Sequence, residues 1–456
     1  MVLLLAACGS PLPKQTGLVF LSDGAQLPAG CAGPTESTLY PGAAVEPMLA
    51  ADPRDPLHFC AAWQQDRFSD HGAAALLSSC SFDGGHTWVR SVPPPFSRCT
   101  GGTFDRASDP WISIGPDGTA HFIGLAFDEE VAETAVVAVR STDGGRTWSA
   151  PATLQIDTGN GFSSDKEAIT ADPNDARFVY AVWDRYKTAT IDTDFFGPAW
   201  FARSSDGGAT WEPARIIYDP GDHVQTLGNQ VVALPGGRIV DVFSLFSVPS
   251  SPFVSIFTIV SDDHGSTWSS PNFVGAVEIA GITDPKNKEG VRAGGALPSA
   301  AADASTGELY IAWEDSSFNT NGDGVVLSRS ADGGISWLPL AVPVNGKRDV
   351  QAFTPAVSAA AGVVAVSYYD LREDIGEPDR LRVTRWLATS VDSGQTFTDA
   401  RMSQPFDLRL AAEEVSGTNR DYFLGDYTGL VSAGGAFFPL FVVTGTDDRS
   451  DIVFRP

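Results

Sequence analysis

The sequence has almost no helical patterning. No long stretch repeats its apolar residues every three to four positions, which excludes an α-helical or α/β architecture. No segment is apolar for long enough to span a membrane as a helix. Positive charge is scarce: 30 Lys and Arg stand against 56 Asp and Glu, a formal net charge of −26. A surface of that sign repels phosphates, so nucleic acid is excluded as a partner. Histidine occurs only six times, in no pairing that suggests catalysis. No Cys/His spacing suggests zinc.

Cysteine is limited to five residues. Cys8 ends the run Leu5-Ala6-Ala7-Cys8, which resembles a bacterial lipobox. The expectation is an exported protein, either lipidated at Cys8 and held at the outer membrane or cell surface, or secreted. Residues 1–16 would be a signal remnant and tether, and membrane contact would come through that anchor alone. The other four cysteines are expected to form two disulfides, as suits an exported chain. An antiparallel hairpin centred near Asp70 sets Cys60 opposite Cys80, which leaves Cys31 with Cys99.

What is present is a repeat. Six versions of Ser-x-Asp-x-Gly-x-Thr-Trp begin at Ser81, Ser141, Ser204, Ser261, Ser330 and Ser390, 57 to 69 residues apart. A steady period of this length means stacked or radial units. It fits one four-stranded sheet with its turns, the size of a propeller blade. Apolar or alternating runs flank each box, and its Asp and Gly residues are turn formers. Asp83, Asp143, Asp206, Asp263, Asp332 and Asp392 are therefore structural. Each box should join the third and fourth strands of a blade. A further unit without a box starts near Leu424. Its fourth strand is expected from Gly17-Leu18-Val19-Phe20-Leu21, closing the ring with both chain ends. The prediction is an all-β propeller of seven antiparallel blades, with six as the alternative, in one domain over residues 17–456.

If all boxes lie on one face, chemistry belongs at the channel mouth on the other. Ends of second strands there read Trp63-Gln64-Gln65-Asp66-Arg67, Trp183-Asp184-Arg185-Tyr186, Tyr368-Tyr369-Asp370-Leu371-Arg372 and Thr446-Asp447-Asp448-Arg449. Starts of first strands bring Arg106, Asp109, Asp165-Lys166-Glu167, Asn229 and Asp426-Tyr427. Carboxylates, arginines and tyrosines of this kind suit a sugar, a carboxylate ligand or a cation. Adjacent pairs such as Asp370 with Arg372 also read as ion pairs between blades.

The boxes resemble the Asp-box (BNR) repeats of the sialidase-like β-propeller superfamily, from about Glu46 onward. Ser108-Asp109-Pro110-Trp111, Asp165-Lys166-Glu167 and Gly425-Asp426-Tyr427 are similar to segments of bacterial exported members. The resemblance implies a glycan partner and exo-acting glycoside hydrolysis with no required cofactor, by a monomer. It implies Asp109 as acid, Glu167 as base, and Tyr369 or Tyr427 as nucleophile. Arg106, Arg292, Arg372 and Arg420, with Asp426, would bind substrate. The chain lacks an Arg-Ile-Pro motif before its first blade, where sialidases place one triad arginine. The other expectation is a non-catalytic scaffold propeller that binds carbohydrate or protein, with Ca²⁺ in its acidic mouth.

Overall fold

The computed structural model describes residues 15–24, 27–32, 37–91, 94–128, 133–159, 161–187, 196–247, 253–445 and 450–456. Cys8, most of the expected tether and residues 446–449 lie outside these. Among the described residues there is no α-helix, only strands and two short 3₁₀ turns.

The strands form successive antiparallel units of four, the first two joined into one eight-stranded sheet where Ala73 pairs with Ala107. The first sheet runs Leu39–Ala51, Phe59–Phe68, Ala73–Ser81 and Val89–Arg90. The second to sixth repeat this order, with first strands Arg106–Ile114, Phe162–Ala171, Val224–Ala233, Ser299–Ala302 and Ala352–Ala360. The seventh takes Gly429–Ala433, Ala436–Thr444 and Ser450–Phe454 from the C-terminal end. Its fourth strand is Val19–Phe20, where Val19 pairs with Phe454 and Phe20 with Val453.

First strands of neighbouring sheets are tied by side chains. Ser113 Oγ accepts the Ala171 amide at 3.0 Å, and Thr170 Oγ1 donates to the Val231 carbonyl at 2.7 Å. Gln230 Nε2 donates to the Pro298 carbonyl at 2.6 Å, and Ser299 Oγ accepts the Val357 amide at 3.0 Å. Met48, Ile112, Ile169, Val231, Ala300, Val357 and Leu430, one from each sheet, line a common cavity of about 330 Å³. The inner strands are buried on both faces, so they read as apolar runs rather than alternations. Trp63, Trp183 and Trp313 fill corresponding places in second strands.

Each box begins at the last residue of a third strand, as its turn chemistry predicts. The serine hydroxyl donates to the aspartate at 2.6–2.9 Å and accepts the amide four residues on at 2.8–2.9 Å. Thr87 binds Asp83 through both hydroxyl and amide and holds its carboxyl down at about 2. The other five box aspartates lie at about 2 as well.

The glycine four residues after the box serine has positive φ, 75° to 89°, and faces the preceding sheet. A Cβ there would meet Phe454, Cys80, His121, Phe201, Val240 or Leu327, going round the boxes in order. The box therefore shapes a turn and seals a joint between sheets. At Gly145 the added carbon would sit 2.2 Å from Cys80 Sγ and 2.8 Å from Cys60 Sγ. Gly145→Ala combines a disfavoured φ with overpacking and is expected to lose about 2–4 kcal/mol. Denaturant titration against wild type checks this; a loss under about 1 kcal/mol would mean the joint is loose.

Both expected disulfides are present. Cys60 and Cys80 are direct partners across the first hairpin, and Cys31 joins Cys99.

Asp241 is out of character for its place. It lies in a middle strand between Val231 and Ile259, is fully buried, and neither carboxyl oxygen has a hydrogen-bond partner among the described residues. Burial, and then Asp184, push its pKa well above the usual range. The unfolded chain therefore gives up this proton first as pH rises, and the group opposes folding increasingly above about pH 4. Asp241→Leu is expected to stabilise the protein by about 1–3 kcal/mol at pH 7, with the gain shrinking toward pH 4. Equal gain at both pH values would contradict this origin.

One further small sheet stands outside the repeat. Ile282–Thr283 pairs with Gly290–Arg292, which runs parallel to Asn419–Phe423, itself paired with Ala412–Ser416. The first two strands follow the fourth sheet and the other two follow the sixth.

Candidate functional site

The site is built by a bulge that recurs at the start of first strands. Register slips between Val45 and Met48, Ser108 and Trp111, Asp165 and Ala168, Leu227 and Gln230, and Phe353 and Ala356. The first residue of each bulge has positive φ: Glu46 53°, Asp109 51°, Lys166 52°, Gly228 68° and Thr354 47°. Four of these five are not glycine, in a region that costs an ordinary residue about 1–3 kcal/mol. Bulges re-aim side chains. Here three successive sheets aim Glu46, Asp109 and Lys166 at one point.

Lys166 Nζ lies 2.7 Å from Asp109, 2.9 Å from Asp426 and 3.9 Å from Glu46. Arg292 forks onto Asp426 through Nε and Nη2 at 3.0 and 2.6 Å. Glu414, from the small sheet, bridges Arg292 at 2.8 Å and Arg67 at 2.6 Å. Gln64 donates to Glu46 and, at 2.9 Å, to Ser108 Oγ.

Burial sorts the protonation states. It pushes Glu46 up to about 8; Lys166 pulls the other way, while Asp109 and Asp426 add to the rise. Asp165 is raised to about 6, again by burial against Lys166. Burial alone would raise Asp426 too, but Lys166 and Arg292 hold it far below the carboxylate range. Burial disfavours the Lys166 cation, yet Asp109, Asp426 and Glu46 keep it firmly charged.

Two cavities meet at Lys166. An open pocket of about 410 Å³ is lined by Glu46, Arg67, Asp109, Asp165, Lys166, Tyr186 and Arg292, among others. Behind it is an enclosed space of about 30 Å³ lined by the second residues of bulges, Glu167, Asn229 and Pro355, with Tyr427. Neither Glu167 oxygen receives a hydrogen bond from another described residue, and burial, with Asp109 next, raises its pKa strongly. Tyr427 packs on Trp111 and reaches the Pro110 carbonyl at 3.5 Å. Its pKa is pushed well up by burial and by the surrounding carboxylates. Glu167 and Tyr427 therefore sit beside the open pocket but do not line it.

Of the residues expected at the mouth, Asp109, Arg292, Asp426, Glu167 and Tyr427 come together. Four do not. Arg106 lies 3.9 Å over the Phe68 ring and donates to Asp70 and the His71 carbonyl at 2.6 and 2.8 Å, pinning the first hairpin. Arg372 pairs with Asp370 and Asp399 and lies over Trp386, as a local ion pair. Arg420 is exposed on Glu413 in the small sheet. Tyr369 is buried between the sixth and seventh sheets. There it exchanges hydrogen bonds with the Val442 carbonyl and amide at 2.9 and 2.8 Å.

Glu46, Arg67, Tyr186 and Glu414 are site residues without an assigned role in the sequence. The signal for Glu46 was available, since Glu46-Pro47 aligns with Asp109-Pro110. Among the described residues, no group of three or more His, Cys, Asp and Glu side chains is placed to hold a metal ion.

The BNR/Asp-box repeat model matches residues 139–150. A sialidase from Micromonospora viridifaciens is 26% identical over 326 residues, covering 65% of this chain and 46% of that protein. Xyloglucanase Xgh74A from Acetivibrio thermocellus is 29% identical over 194 residues, 41% of this chain and 20% of that protein. The chain thus spans less than half the length of these curated relatives. Among solved structures, the Hadza microbial sialidase Hz136 matches with a TM-score of 0.49 at 13% identity, over 87% of this chain and 75% of that one. An α-L-arabinanase from Penicillium chrysogenum matches at 0.48 and 14% identity, over 87% and 99%. Six boxes stand in the chain, the BNR/Asp-box repeat model matches one of them, and 65% of the chain is similar to a sialidase.

Proposed function

We propose that the chain is an exported seven-bladed propeller, closed by its N-terminal strand, which binds glycans in the open pocket and hydrolyses a glycosidic bond there. Seven first strands around one cavity support the blade count, and the pairing of Val19–Phe20 with Ser450–Phe454 supports the closure. Two disulfides support an oxidising compartment.

One observation carries the chemistry. Glu46 and Asp109 stand on equivalent bulges, both within 4 Å of Lys166 Nζ. Glu46 keeps its proton to about pH 8, while Asp109 takes a hydrogen bond from an ammonium group. A proton-bearing carboxyl beside an ion-paired carboxylate is the division of labour that glycoside hydrolysis needs. Glu46 would protonate the leaving oxygen as the glycosidic C–O bond breaks. Asp109 would stabilise the positive charge at the anomeric carbon and take a proton from the attacking water. Tyr186 lines the same pocket and would hold a sugar hydroxyl.

A binding-only reading has one observation in its favour: Lys166, Arg292, Arg67 and their carboxylates are already paired with one another. A hydrolysis screen of the purified chain separates the two, using sialosides, xyloglucan oligosaccharides and neutral aryl glycosides. Turnover is expected on at least one class. Glycan binding without turnover on any would leave the binding role alone.

A further inference from the structure

Glu414 stands outside the repeated sheets, and its two oxygens reach two different arginines. Oε2 accepts from Arg67 Nη2 at 2.6 Å, and Oε1 from Arg292 Nη1 at 2.8 Å. Most of the rest of each guanidinium is also engaged, Arg67 Nε alone being buried without a partner among the described residues. Arg292 Nε and Nη2 donate to Asp426, and Arg67 Nη1 donates to the Gln64 side chain and the Gly72 carbonyl. Both arginines line the open pocket. Two guanidinium groups around one carboxylate form the standard receptor for a carboxylate ligand. In this chain the carboxylate comes from within, and it is buried: the Glu414 side chain is 9% exposed.

The surrounding charge points the same way. Arg67, Lys166 and Arg292 are the Lys and Arg cations at the pocket. Twice as many carboxyl groups line it or touch those cations among the described residues. The chain as a whole carries −26. An incoming anion meets repulsion at long range and no uncommitted cation at short range.

We infer that Glu414 is a specificity-determining residue that occupies the pocket's carboxylate position, so that the pocket accepts uncharged glycosyl units and excludes sugars bearing a carboxylate. The inference rests on the glycan-binding reading above. A sialic or uronic acid would have to displace Glu414 from both arginines and leave that carboxylate buried beside Asp426, an unpaired charge in a low-dielectric site. A neutral sugar needs no displacement. Its hydroxyls can donate to Asp109 or Asp165, which line the pocket.

The test is calorimetric titration of the full chain with N-acetylneuraminic acid, glucuronic acid and neutral xylo-, gluco- and arabino-oligosaccharides, repeated with Glu414→Gln. Wild type is expected to bind a neutral sugar and neither acid. Glu414→Gln is expected to gain binding of at least one acid by about tenfold or more, since it frees two guanidinium donors while keeping the side chain's shape. Wild type binding either acid as tightly as its best neutral sugar overturns the inference. So does a Glu414→Gln protein that melts like wild type yet gains no acid affinity. If that variant does not fold, the wild-type preference alone decides. If wild type binds no sugar while Glu414→Gln gains acid binding, the assignment of Glu414 stands and the glycan reading falls.

Discussion

Lys166→Met is expected to destabilise the protein by about 3–5 kcal/mol at pH 7, the range for stripping the partner from a buried ion network. Lys166 is the hub of the mouth. Asp109 and Asp426 are 2% and 6% exposed, and both lie within 3 Å of its ammonium group. Asp426 keeps the Arg292 fork when the lysine goes, but among the salt bridges of the described residues Asp109 has Lys166 alone. Asp109 would also face Glu167 and Asp165, whose pKa values its charge already raises. The pH dependence follows from Asp426. Its folded pKa is depressed, so its pairing stabilises the fold above the unfolded carboxylate range and is lost as pH falls. The gap between wild type and variant should therefore narrow in acid. Lys166→Met/Asp109→Asn should recover more than half of the loss, because the stranded charge is removed. Denaturant titrations of the four proteins in this cycle measure it. A single-variant loss below about 1 kcal/mol would show that the network orients groups without stabilising the fold.

Lys166 also marks where sequence reading reaches its limit. The boxes are legible because a turn is local: serine, aspartate and glycine satisfy one another within a few residues, and the period counts the sheets. The hairpin disulfide is legible for the same reason, since strand register follows from the turn near Asp70. The strand Val19–Phe20 could be assigned to the seventh sheet because it was the one apolar run left without a partner. The arginines could not be sorted in this way. Arg372 is consumed by Asp370, two residues back, and Arg106 by Asp70, 36 residues earlier at the turn of the first sheet's hairpin. Tyr369 follows Tyr368 in one strand, and successive side chains point to opposite faces; the two hydroxyls end on Val442 and Asp399, neither at the mouth. Arg67 and Glu414 are 347 residues apart. Glu414 lies in a hairpin with no counterpart in other repeats, so periodicity had nothing to say about it. What was legible but unused is the bulge: Glu46-Pro47, Asp109-Pro110 and Thr354-Pro355 mark equivalent points at which the chain turns its side chains to the axis.

Glu46→Gln and Asp109→Asn should each lower turnover of an unactivated glycan by about 10²–10⁴-fold, the usual contribution of a positioned acid or base. They should differ in how they fail. Glu46 is cast as the proton donor, so its loss matters in proportion to how much the leaving group needs a proton. An aryl glycoside with an acidic phenol leaves unassisted, and Glu46→Gln should recover most of its rate on that substrate. Asp109→Asn should stay low on both, because the charge at the anomeric carbon develops whatever the leaving group is. The pH profile gives an independent reading. The kcat/KM of wild type should fall above about pH 8, where free Glu46 loses its proton. That descending limb should be absent from Glu46→Gln on the aryl substrate and retained in the residual activity of Asp109→Asn. The acid assignment would be refuted by a limb that survives in Glu46→Gln; the candidate would then be Asp165, the other raised carboxyl in the pocket, whose pKa of about 6 would set the limb two units lower. Position on the pH axis thus separates the two carboxyls without a further structure.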